Sequence, residues 1–179
     1  MREAAEVIDD LRAEPPVAAV GTRWSLVSDR VMGGVSSGAM SRERIAGRDA
    51  IRLQGAVSLE NNGGFLQLAL DLASDGEAVD ARRWTGLRLD VFGNDQDYNL
   101  HLRTSDIRRP WESFRHAFRA TPDWTTVLLP FAEFTPHRTD QPLRLERLRR
   151  IGVVAIGRAF EADVAIADIR FYGGGRPEA

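Results

Sequence analysis

The 179-residue sequence contains no cysteine, which excludes disulfide bonds, thiolate zinc sites and a cysteine nucleophile. It also contains no lysine, because all 24 basic residues are arginine. These arginines are interspersed with acids, as in SRERIAGRD and RLERLRR, and the formal net charge is −2. Since nucleic-acid binding needs a continuous positively charged surface, we expect no nucleic-acid partner.

Long apolar runs are missing as well. No stretch approaches the roughly 20 apolar residues of a membrane span. The N-terminus, MREAAEVIDDLRAEPP, carries acids where an export signal has a basic end and an apolar run. The sequence therefore predicts a cytoplasmic protein that is peripheral to a membrane at most.

Most of the chain after Trp24 alternates apolar and polar residues with a period of two, which is typical of strands. The clearest examples are FLQLALDL, GLRLDVFG, YNLHLRT, ESFRHAFRA, WTTVLLP, IGVVAIG and VAIADIRFYG. About nine or ten strands with almost no helix between them predict an all-β, antiparallel β-sandwich. Two segments break the pattern: PFAEFTPHRTDQP predicts a long loop with a helical turn, and LRLERLRR predicts another turn of helix.

The first residues follow a different pattern. Ala4, Val7, Ile8 and Leu11 have helical spacing, and the prolines at 15 and 16 end the segment. We therefore expect a short N-terminal helix in an extension over residues 1–20, followed by a sandwich domain over residues 21–175.

Two loops rich in glycine and asparagine are the first candidate site. Their candidate residues are Asp29, Met32, Gly33, Gly34, Ser36, Asn61, Asn62, Gly63 and Gly64. Glycine and asparagine reach left-handed backbone angles cheaply, so both loops predict tight turns, with the Asp29 carboxylate as a cap. In the architectural interpretation, which we prefer, the amides of Asn61 and Asn62 pin the loops together. In the functional interpretation, the loops form a recognition surface with Met32 as a soft contact, or amides that bind sugar hydroxyls.

The second candidate site is a polar sheet face. Asn99, His101 and Arg103 alternate along one predicted strand, Arg115 lies on the next, and Trp111 lies in the loop between them. A polar face with an aromatic residue at its rim is suited to a sugar or peptide groove. An ordinary solvated face produces the same alternation, so both interpretations remain open.

Catalytic signals are weak. His101, His116 and His137 lack metal-ligand spacing, and the sequence has no nucleophile elbow, P-loop or dinucleotide fingerprint. We therefore expect a protein that is not an enzyme and has no metal site or cofactor.

One combination of motifs is specific. WSLVSDRVMGGVSSG is followed by LENNGGF, Gly86, YNLHLRT, Trp124, LPFAEFTP and IRFYGG. From Trp24 to about Gly174 this pattern closely resembles the complex I intermediate-associated protein 30 family. The resemblance implies a jelly-roll β-sandwich of the galactose-binding-like type.

The resemblance also implies a function. The best-known mitochondrial members are chaperones that hold partly built respiratory complex I, and relatives in photosynthetic lineages are linked to photosystem assembly. We therefore expect a bacterial, stand-alone assembly factor that binds a protein client from a membrane-bound respiratory or photosynthetic complex. The alternative, from the fold, is a module that binds carbohydrate or another small ligand.

Overall fold

Two antiparallel sheets pack face to face in this all-β protein, which a computed structural model describes over residues 2–174. The strands of this part of the chain are β1 (Val7–Asp9), β2 (Ser25–Ser28), β3 (Ser37–Ile45), β4 (Arg48–Val57), β5 (Phe65–Asp71), β6 (Gly86–Gly93), β7 (Gln96–Thr104), β8 (Ser113–Ala120), β9 (Thr125–Pro130), β10 (Thr135–His137), β11 (Leu148–Ile156) and β12 (Phe160–Tyr172). Short 3₁₀ helices span Asp29–Met32, Glu60–Asn62, Phe131–Glu133 and Leu145–Arg147.

Sheet 1 has the strand order β3-β4-β12-β6-β9, with β1 also paired to β12. Sheet 2 has the order β10-β8-β7-β11-β5-β2. The inward-facing residues of both sheets form one buried apolar cluster. Among residues 2–174, no helix has the length and apolar character needed to cross a bilayer.

The predicted sandwich is confirmed, and so is the alternation that led to it. On β5, Leu66, Leu68 and Leu70 are buried, and on β7, Leu100 and Leu102 are buried. The helical turns predicted in PFAEFTPHRTDQP and LRLERLRR are the 3₁₀ helices at 131–133 and 145–147. The first of these segments also contains β10, a three-residue strand too short for its pattern to be visible in the sequence.

The prediction of an N-terminal helix before Pro15 is wrong. Residues Val7–Asp9 form β1, which pairs antiparallel with β12 through Val7 and Arg170. β4 pairs with β12 only as far as Ile166, so the remaining half of that side of β12 is open and β1 occupies it. An isolated helix of this length is marginal in water, so sheet pairing and burial of Ile8 override the helical spacing.

Candidate functional site

The carboxylate of Asp29 joins the two glycine-rich loops. Asp29 directly follows β2 and is completely buried. Its Oδ1 accepts a hydrogen bond from the backbone N–H of Ser36 at 3.0 Å, and its Oδ2 accepts from the Ser36 hydroxyl. Oδ2 also accepts from the N–H groups of Gly64 at 2.6 Å and Phe65 at 3.3 Å. One side chain therefore holds residues 29–36 against residues 58–65, which we call the loop cap.

This arrangement favours the ionised carboxylate. Burial acts to raise the pKa of Asp29, but the hydrogen bonds from Ser36, Gly64 and Phe65 together outweigh burial and leave the pKa below its usual value. The Ser36 hydroxyl continues the link, because it accepts a hydrogen bond from the N–H of Ser58 at 2.9 Å. Asp29 is therefore an anionic cap for both loops, as the sequence predicted for the first of them.

The paired glycines have two different tasks. Gly33 and Gly64 have positive φ angles of 86° and 137°, which side chains rarely adopt. At Gly34 a Cβ would lie 2.5 Å from Asp29 Cγ, and at Gly63 it would lie 2.5 Å from Asp29 Oδ2. Each pair therefore supplies one turn and one close approach to the buried carboxylate.

The asparagines do less than the architectural interpretation assigned to them. Asn61 and Asn62 are exposed and have φ angles of 56° and 58°, so the predicted left-handed turn is present. The hydrogen bonds that pin the loops together, however, are made by Asp29 and Ser36. The sequence located the junction of the loops but assigned it to the wrong side chains.

The loop cap also presents apolar side chains to solvent. Val31 is 75% exposed and Met32 is 59% exposed, and Val35 on the same loop and Leu59 on the other loop are exposed as well. Val35 and Leu59 immediately neighbour the hydrogen-bonded pair Ser36 and Ser58. Exposed apolar side chains that lie together on a protein surface mark contact sites. The sequence singled out only Met32 among these four residues.

The second candidate site is the outer face of sheet 2. One row of paired residues crosses all six strands of this sheet, in the order Thr135, Arg115, His101, Gly152, Ala69 and Ser25. Asn99 lies in the neighbouring row, between Ala117 and Val154. The structure therefore brings Asn99, His101 and Arg115 together, as predicted.

His101 is far less exposed than the sequence suggested. Only 9% of its surface is accessible, and its Nε2 has no hydrogen-bond partner among residues 2–174. Burial, followed by the neighbouring Arg115, His137 and Arg103, lowers the pKa of His101 to about 3. The imidazole is therefore neutral at physiological pH.

Arg103 and Trp111 do not form a binding pair. Arg103 Nη1 donates to the carbonyl oxygens of Arg109 at 3.1 Å, Pro110 at 3.4 Å and Glu112, so this side chain holds the β7–β8 loop. Trp111 is half exposed on that loop, with the Arg109 guanidinium 5.8 Å from its ring centre. A cavity of about 550 Å³ adjoins Arg103 and is also lined by Ser105, Arg108, Arg149, Asp75 and Glu77.

The sequence missed three residues of this face. Gly152 and Ala69 form its low centre, and the Gln67 side chain lies over Gly152, so a Cβ there would be 2.0 Å from Gln67 Oε1. The alternation in FLQLALDL, which directs its leucines inward, already places Gln67 and Ala69 on the opposite face. No local signal in the sequence shows that Gln67 and Ala69 lie on the same face as His101, because β5 and β7 are separated in the sheet by β11.

Solved structures with a similar fold include carbohydrate-binding modules. A family 11 module from Clostridium thermocellum, in complex with a β-1,3-1,4-mixed-linked tetrasaccharide, superposes with a TM-score of 0.70 at 14% identity, covering 94% of this chain and 95% of that one. A family 30 module of a cellulosomal cellulase from Clostridium thermocellum gives a TM-score of 0.64 at 13% identity, covering 98% and 96%. At these identities the likeness shows the fold alone.

Sequence comparison gives a more specific result. Among curated proteins, no sequence matches the chain. The family model described as Complex I intermediate-associated protein 30 matches residues 17–166. The matched range contains the loop cap and the outer face of sheet 2.

Proposed function

Because the chain belongs to the complex I intermediate-associated protein 30 family, we propose that it is a non-enzymatic assembly factor for a membrane-bound respiratory complex, similar to complex I, or for a photosynthetic complex. It acts in the cytoplasm, needs no cofactor and binds a protein client, which is a subunit or another assembly factor of that complex. Family membership supports this role, and the loop cap supplies the surface for it.

The observation that carries the proposal is the exposure of Val31 and Met32 on a loop held by a buried ionic junction. The free energy falls when a partner removes exposed apolar side chains from water. The Asp29 hydrogen bonds fix the loops before the client binds, so the loops lose little conformational entropy on binding. The loop cap is therefore a preorganised contact for apolar surface on an incomplete complex.

An assembly factor has to leave when the permanent neighbour arrives, so its affinity must be moderate. A patch with a few apolar side chains fits a contact at the small end of protein interfaces. Met32 adds adaptability, because its unbranched side chain adjusts to irregular surfaces.

The test is affinity capture of the tagged chain from its native host after mild detergent treatment, with identification of the captured proteins by mass spectrometry. We expect subunits of one membrane complex, and we expect the double variant Val31→Asp, Met32→Asp to lose them. The control is Leu128→Asp, which places an aspartate at an exposed leucine of β9 in sheet 1. Deletion of the gene should also lower the amount of the assembled complex on native gels. Normal levels of every large respiratory and photosynthetic complex would overturn the proposal.

The second candidate is a carbohydrate-binding module. It is favoured by the likeness to carbohydrate-binding modules, which also supports a jelly roll of the galactose-binding-like type. It is favoured too by the polar face that contains Asn99 and His101 with Trp111 at its rim. Calorimetry against a panel of glycans and polyols tests it, and the absence of binding heat across the panel would exclude it.

A further inference from the structure

The arginines on the outer faces of the two sheets differ in whether they have a carboxylate partner. On sheet 1, the Arg52 guanidinium binds both carboxylate oxygens of Asp163 at 2.8 and 2.7 Å. On the same sheet, Arg170 pairs with Asp168 at 2.6 Å and Arg48 pairs with Asp90 at 3.0 Å. The charges of this face are therefore satisfied within the chain.

On sheet 2, Arg150 pairs with Asp71 at 2.7 Å. Arg115, which lies opposite His101, has no carboxylate within 4.0 Å in the described part of the chain. The only side-chain hydrogen bond of Arg115 within that part goes from its Nε to the Ser113 hydroxyl at 2.9 Å. Burial, together with the charge of Arg138, lowers the pKa of Arg115, but a guanidinium stays protonated at physiological pH. This face therefore carries half-buried positive charge that lacks a counter-charge.

His101 separates Arg115 from the small residues of this face. Gly152 and Ala69 follow His101 on the side away from Arg115, and the Gln67 side chain covers Gly152. The buried His101 Nε2, which lacks a partner, lies in this row as well. A ligand with oxygen acceptors would satisfy the half-buried Arg115 guanidinium.

We propose that the outer face of sheet 2 binds an acidic segment of the client protein, with a client carboxylate paired to the Arg115 guanidinium beside His101 and Asn99. This inference rests on the proposed function, since it names the chemistry of one client contact. Arginine pairs with carboxylates through two parallel hydrogen bonds, and a partly desolvated pair is stronger than an exposed one. The loop cap and this face would then recognise two features of one client, one apolar and one acidic.

The aromatic residues favour a peptide over a sugar. Sugar sites present an aromatic ring against which the ligand packs. On β7 and β8 the rings of Tyr98, Phe114 and Phe118 are buried in the core instead. Trp111 stands only at the rim, where the Arg109 guanidinium lies over its ring.

A labelled peptide of eight glutamates is the probe for this face. Fluorescence anisotropy at low salt should show binding to the wild-type chain, and Arg115→Gln should weaken it by about tenfold or more. Arg119→Gln is the matched control, because Arg119 lies on the same strand but already pairs with Asp95 and Asp97, and it should change affinity by about twofold or less. Thermal melting of both variants checks that they fold.

Three outcomes would overturn the proposal: no binding of the peptide to the wild-type chain, equal weakening by both variants, or binding of oligogalacturonate in preference to the peptide. Capture from the host separates this failure from failure of the proposed function. If the wild-type chain captures complex subunits and Arg115→Gln captures them equally well, only the acidic-segment inference fails. If the wild-type chain captures none, the assembly role fails too.

Discussion

Asp29 and Gly64 are 35 residues apart in sequence and are joined by a hydrogen bond of 2.6 Å from the Gly64 amide to Asp29 Oδ2. The same carboxylate binds the Ser36 amide, so both segments of the loop cap meet at one buried anion. Removing a charged acceptor from a buried site leaves its donors without partners, which costs more than the net value of the bonds themselves.

Replacement of Asp29 should therefore destabilise the fold strongly. We expect Asp29→Ala to lower the free energy of unfolding by about 3 kcal/mol, because the amides of Ser36 and Gly64 lose their acceptor. Urea denaturation measures the difference. Asp123→Ala, at an exposed loop aspartate, should stay within about 0.5 kcal/mol of wild type. Equal effects of the two substitutions would contradict the role of Asp29.

The contribution of Asp29 should also depend on pH. Its pKa in the folded chain lies below its unfolded value of about 3.9. Its contribution to stability is therefore present above that value and is lost as pH falls through the folded pKa. The gap in unfolding free energy between wild type and Asp29→Asn should be constant from pH 5 to 7 and should narrow below pH 4. A gap that widens on acidification would show the opposite shift.

Gly63 should be intolerant of a side chain mainly because of Asp29. Its φ of −80° suits any residue, but an added Cβ would meet the Asp29 carboxylate. We expect Gly63→Ala to cost about 1–3 kcal/mol in wild type and much less in the Asp29→Ala background. A double-mutant cycle by urea denaturation measures this coupling. If the two substitutions change the free energy of unfolding additively, the strain in Gly63→Ala does not come from Asp29.

His101 should make the fold sensitive to mild acid. Its pKa is about 3 when folded and about 6.5 when unfolded. Between these values the unfolded chain binds a proton that the folded chain does not, so stability falls as pH drops through this window. One such proton contributes up to about 1.4 kcal/mol per pH unit. His101→Asn should show a shallower loss between pH 6.5 and 4, and the two curves should run parallel above pH 7.

Arg103 should control the β7–β8 loop. Its guanidinium holds three carbonyl groups of that loop. In Arg103→Met we expect trypsin to cleave after Arg108 several-fold faster, because local opening costs less free energy. Arg119→Met, which removes an arginine from the neighbouring β8, serves as the control. An unchanged cleavage rate would show that other contacts hold the loop.

Alternation alone was sufficient to predict the sandwich. It works for β5 and β7, where each leucine in the pattern is buried, because a strand with one face in the core must place every second residue there. The helical spacing of Ala4, Ile8 and Leu11 was misleading. All three side chains are buried, but only Val7–Asp9 form a strand, which pairs with β12.

The candidate sites were predicted less completely than the fold. Alternation assigns His101 to the outer face, but its burial depends on the neighbouring strands, including Gly152 of β11, whose position the local sequence does not reveal. The turn chemistry of Gly33 and Asn61 was readable from residue type. The four hydrogen bonds at Asp29 were not, because they join segments from two distant parts of the chain.

The pairing of β1 with β12 affects how the protein is made. β12 also pairs with β4 and β6, so three strands of sheet 1 depend on β12 for hydrogen bonds. During synthesis, residues 7–9 leave the ribosome long before their partners at 169–170. Contacts of such long sequence separation form slowly, so apolar strands stay exposed until they form. A protein proposed to protect unfinished assemblies therefore passes through an unfinished state of its own, with sheet 1 incomplete until β12 has been synthesised.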